Sequence, residues 1–157
     1  MFYFLFLRCL SSISINIIIK DKISNAPLTQ IVFMPRDFIS MFPIIAPETK
    51  EHIIKKYLKS TEFNDNIIFF GPMGSRTGFY LITKSLSDKY SVELIKNAFE
   101  YLNDFWGKIP NASVNECGNC LEHNLPQAKE EAKHFIEIIK DWTKDNLDYP
   151  TAEENEE

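Results

Sequence analysis

Three of the five glycines in this chain fall within eight residues, Gly71-Pro72-Met73-Gly74-Ser75-Arg76-Thr77-Gly78. That concentration limits the folds open to it. Glycine lets backbone turn sharply or approach a phosphate closely, so nucleotide-binding folds need it at set positions. A phosphate loop requires Gly, four residues, then Gly-Lys-Ser/Thr opening a helix. Here Arg76 stands five positions after Gly71, and β-prone residues follow. The other two glycines, Gly107 and Gly118, are isolated. A P-loop or dinucleotide fold is therefore excluded. The segment instead separates two β-prone runs, Asn66–Phe70 and Phe79–Thr83, and predicts a hairpin with an eight-residue loop. Arg76 would sit on that loop as a contact for an acidic or anionic group.

Three more strands are expected upstream. Phe2–Leu7 is wholly apolar and fits a strand buried on both faces. Residues Ser12–Ile17 alternate polar and apolar with period two, and Gln30–Met34 is a short apolar run. Asp21–Pro27 should be a polar loop. Pro35, Pro43 and Pro47 make 35–47 irregular. Three amphipathic helices follow, over 47–59, 91–106 and 126–144. Pro47 and Pro126 suit first helical turns, Ser91 an N-cap and Gly107 a stop. Ile53, Ile54, Tyr57 and Leu58 should face inward on the first helix. Val92, Ile95, Phe99, Leu102 and Trp106 should do so on the second. The expected fold is α+β: an antiparallel, or mixed, sheet of about five short strands covered on one face by three helices. One domain would span 1–144, with a tail over 145–157.

That tail holds six acids (Asp145, Asp148, Glu153, Glu154, Glu156, Glu157) and no base, so the net charge of −5 leaves +1 on the rest. A near-neutral body offers no basic face for nucleic acid. The apolar run at Met1–Leu7 ends at Arg8. It is shorter than the roughly 20 residues of a membrane span, and three cysteines make no disulfide scaffold. A soluble, cytoplasmic protein without membrane attachment is expected.

Cys117-Gly118-Asn119-Cys120, followed by Glu122 and His123, is the most site-like stretch. Cys117, Cys120 and His123 are soft donors at ligand-like spacing, and zinc is the cofactor they would take. A fourth donor would have to come from Cys9, His52, His134 or a carboxylate brought near by folding. As a redox pair the thiols lack the preceding strand and the immediate helix N-terminus that activate such motifs. His52 and His134 are expected on exposed helix faces. No nucleophile-elbow motif is present.

With no complete catalytic set, the expected function is a small acidic, non-enzymatic binding module without a cofactor. It would be an immunity-type inhibitor that neutralises one basic toxin, such as a nuclease, by electrostatic steering. Arg76, Asp145, Asp148, Glu153 and Glu154 would contact that partner. The alternatives are a metal- or redox-linked regulator built on Cys117, Cys120 and His123, and a small enzyme using His123, Glu122 and Arg76.

Overall fold

A computed structural model describes residues 13–23, 26–35, 46–73 and 78–143. The fold is α+β. Strands β1 (Ile13–Ile23), β2 (Ala26–Pro35), β3 (Ile67–Pro72) and β4 (Phe79–Lys84) form one antiparallel sheet in the order β1-β2-β4-β3. Helices α1 (Pro47–Ser60), α2 (Asp88–Asp104) and α3 (Leu125–Ile139) complete it. Four strands are thus found among the described residues, against the expected five. The segment 2–7 lies outside them, as do 36–45 and the tail from 144. β1 and β2 are longer than expected because Ile23 pairs with Ala26, so the ladder runs through the polar stretch assigned to a loop. Backbone pairing is indifferent to side-chain polarity where both N–H and C=O find partners.

The β3–β4 hairpin also runs further than its apolar residues. Pro72 pairs with Phe79, and the Met73 amide donates to the Gly78 carbonyl at 2.8 Å. β3 is an edge strand, where the missing donor of Pro72 costs nothing. A Cβ at Gly71 would stand 2.7 Å from Cζ of Phe69, so a side chain there would push that exposed ring aside.

Phe70 and Phe79 stack at 5.4 Å between centroids and, with Leu81, join the sheet to the helices. Ile53, Ile54 and Leu58 of α1, Leu94, Leu102 and Phe99 of α2, and Ala128, Ala132 and Ile139 of α3 fill the space between. The alanines let α3 lie close to α2, where Phe99 meets Phe135 at 4.1 Å.

Three helix ends differ from expectation. Ser87, not Ser91, caps α2, accepting from the Tyr90 amide, and Ser91 is fully buried one turn in. The helix ends at Asp104, so Phe105 turns inward and Trp106 is 76% exposed. At the end of α3, Lys96 donates to the carbonyls of Lys140 and Trp142, both at 2.7 Å. Those contacts satisfy orphan carbonyls and stop the helix before 144.

Lys50 is not among the residues expected inward on α1, yet it is 3% exposed and pairs with Glu131 of α3. Burial draws its ammonium down to about 7. Glu131 remains a third exposed and water can solvate it alone, whereas Lys50 has no such recourse. Glu131→Gln should therefore cost about 3 kcal/mol, the low end for breaking a buried pair, while Lys50→Met should be close to neutral. Urea unfolding of the two variants measures this asymmetry.

Candidate metal centre

The first two turns of α1 carry Glu48, Thr49 and His52, and the connection from α2 to α3 folds over them. That connection is built from tight turns. Glu116 and Cys117 amides bond the Ser113 carbonyl, Cys120 bonds Cys117, and Glu122 bonds Asn119, closing a 3-10 turn at Cys120–Glu122. Asn124 then caps α3, its Oδ1 accepting from the Gln127 amide at 3.1 Å.

Folded in this way, His52, Cys117 and His123 bring one potential ligand atom each to within 4.8 Å of one another. The two imidazoles lie edge to face, with centroids 4.9 Å apart. Cys117 is buried at 6% exposure. His52 is thus not the exposed helix residue expected of it. A helix face is polar here because the loop, not solvent, covers it.

Hydrogen bonds orient both rings. His52 Nδ1 stands 2.7 Å from the Pro110 carbonyl. A carbonyl only accepts, so Nδ1 carries the proton and Nε2 presents a lone pair. His123 Nδ1 lies 3.2 Å from the Thr49 hydroxyl, which also accepts from the Asn124 amide at 2.9 Å. His123 Nε2 is buried with no hydrogen-bond partner among the described residues. Burial first, and then the His52 ring, lower the His123 pKa against an opposing pull from Glu48. His123 is accordingly a neutral imidazole at neutral pH.

An orphaned buried nitrogen, an oriented second imidazole and a buried thiol form a donor set that fits a divalent transition ion. Two of the three expected metal residues, Cys117 and His123, stand in it. Cys120 does not: it is partly exposed and binds the turn through its amide. Glu122 is exposed. Arg76, Asp145, Asp148, Glu153 and Glu154 lie outside the described residues. His52 could be found from sequence only as one name among several distant donors, since nothing in its local pattern sets it apart.

Thr49 is fully buried and holds both His123 and the start of α3. Thr49→Val keeps the shape and removes the oxygen. Metal affinity should fall about 10–100-fold, as when an orienting partner of a ligand is lost. Competition with a chromophoric chelator gives the ratio.

The family model for S-ribosylhomocysteinase (LuxS) matches residues 39–146, which include the whole cluster. A protein of Phocaeicola vulgatus named S-ribosylhomocysteine lyase is 44% identical over 111 residues, 69% of each chain. A protein of the same name from Porphyromonas gingivalis is 40% identical over 110 residues, 67% of this chain and 69% of its own. Another, from Borreliella burgdorferi, is 42% identical over 140 residues, 83% of this chain and 86% of its own. These names denote enzymes acting on a small molecule. They overturn the expected non-enzymatic immunity protein and its basic toxin partner, and the enzyme alternative stands closer. The lack of a complete catalytic set was a poor ground for excluding catalysis, because a site assembled from distant residues leaves no local motif. With the match spanning most of the chain at this identity, the chain belongs to the S-ribosylhomocysteinase (LuxS) family, a family of metal-dependent enzymes.

Proposed function

We propose that this protein is a metal-dependent S-ribosylhomocysteine lyase, with its ion held by His52, Cys117 and His123. The observation that carries this is the convergence of those three donors inside the matched region. The thiolate and imidazoles suit a borderline-soft divalent ion such as zinc. A ligating thiolate must stay reduced, which suits the cytoplasm. No helix among the described residues is long and apolar enough to cross a membrane.

The substrate named by the relatives joins a ribosyl group to homocysteine through a thioether. A lyase parts carbon from sulfur without water or oxidant, so a proton leaves carbon and a thiol departs. A bound ion would supply Lewis acidity, polarising a substrate oxygen and easing loss of the proton beside it. The chain's part is to hold the ion in one geometry. Pro110 and Thr49 orient the two rings, and packing under the loop keeps the thiol from bulk water.

Purified protein given S-ribosylhomocysteine should release free thiol, followed with a thiol-reactive dye. Chelation should stop release and added zinc should restore it. Cys117→Ser and His52→Ala should each slow it at least about 100-fold, or about 2.7 kcal/mol of barrier. Metal-loaded protein that releases no thiol would sink the proposal.

A further inference from the structure

We infer that Cys120 is a redox partner of Cys117: a peroxide joins the two thiols as a disulfide and so withdraws Cys117 from the metal centre. The loss of the ion rests on the metal-centre reading above, whereas the disulfide does not. Cys117 and Cys120 are both free thiols, one buried and one partly exposed. The Cys120 amide donates to the Cys117 carbonyl at 3.2 Å, which closes a four-residue turn between them. Such a turn brings its end Cα atoms within about 7 Å. A disulfide spans about 4.4–6.8 Å between Cα atoms, so the backbone already stands near bridging distance. A Cβ on Gly118, inside the turn, would meet nothing within 4 Å. The turn therefore has room for the small adjustment that the sulfurs need.

The two sulfurs differ in place, and that difference divides their roles. Cys117 lies under the loop in the cluster with His52 and His123. Cys120 stands outside the cluster, between the exposed residues Asn119 and Leu121. Oxidation of a thiol follows its exposure and thiolate character, so Cys120 meets an oxidant first. Its thiolate attacks hydrogen peroxide. The O–O bond breaks, sulfur keeps one oxygen as a sulfenic acid, and hydroxide leaves and takes up a proton as water. The Cys117 thiolate then attacks the sulfenic sulfur. An S–S bond forms, the S–O bond breaks, and the second oxygen also leaves as water. Two electrons have passed from the thiol pair to the peroxide. The cluster thereby loses its only sulfur donor and its only anionic one. Asn119 Nδ2 donates to Glu48 at 2.8 Å, so the loop stays tied to α1 while the donor is withdrawn. A dithiol reductant returns both thiols. No long helix starts at the pair to activate it, which suits a switch driven by oxidant and not a catalyst of disulfide exchange.

The test uses the full-length protein and hydrogen peroxide, first metal-free and then loaded with zinc. Metal-free protein should lose two of its three thiols and about 2 Da of mass. Peptide mapping should join Cys117 to Cys120. Saturating zinc should slow that loss about tenfold or more, because the ion and Cys120 compete for one sulfur. Zinc release, followed with a chromophoric chelator, should keep pace with disulfide formation and reverse with dithiothreitol. Cys120→Ser should bind zinc like the parent yet release it under peroxide at least about tenfold more slowly. Cys120→Ala removes the same thiol and should behave alike. A metal-free parent that forms no Cys117–Cys120 disulfide overturns the inference, as does a Cys120→Ser variant that releases zinc at the parent's rate. Failure of the parent to take up zinc is a separate result. It overturns the metal centre, while the disulfide is still judged in the metal-free protein.

Discussion

The hold of the α2–α3 connection on the first turns of α1 is the constraint on which the rest depends. Thr49 is its pivot. One fully buried hydroxyl meets the His123 ring and the amide that opens α3. Next to it the Lys50–Glu131 pair ties α1 to the body of α3. Buried polar contacts of this kind are costly unless satisfied, and so they admit few alternative arrangements. A loop rich in turns and poor in apolar side chains is thereby held in one place.

The consequences pass outward from there. With the loop seated, His52 is covered and its proton is assigned to Pro110. Cys117 goes under, and His123 is left with a buried nitrogen facing the cluster. The apolar core behind α1, from Ile53 and Ile54 to Phe70 and Phe79, supplies rigidity but no chemistry. Donors so placed need little rearrangement to receive an ion.

Much of the fold was legible locally. Hairpin signals around the glycine cluster placed β3 and β4, and 3.6-residue stripes located three helices. Errors gathered where a distant group overrides local preference. Lys96 ends α3 from another helix. Phe105 takes the inward place assigned to Trp106 because α2 stops two residues earlier. Lys50, a routine outward lysine by pattern, is buried because Glu131 waits for it.

From sequence alone came the α+β class, the exclusion of nucleotide-loop folds, and Cys117, Cys120 and His123 as candidate soft donors at ligand-like spacing. Periodicity and ligand spacing are properties of neighbours along the chain, and they survive without coordinates. Which donors converge, with His52 brought beside Cys117 and His123 and Cys120 left outside the cluster, was decided only by tertiary structure. Coordination requires donors around one point, and the chain returns to that point only after two helices and a hairpin have packed.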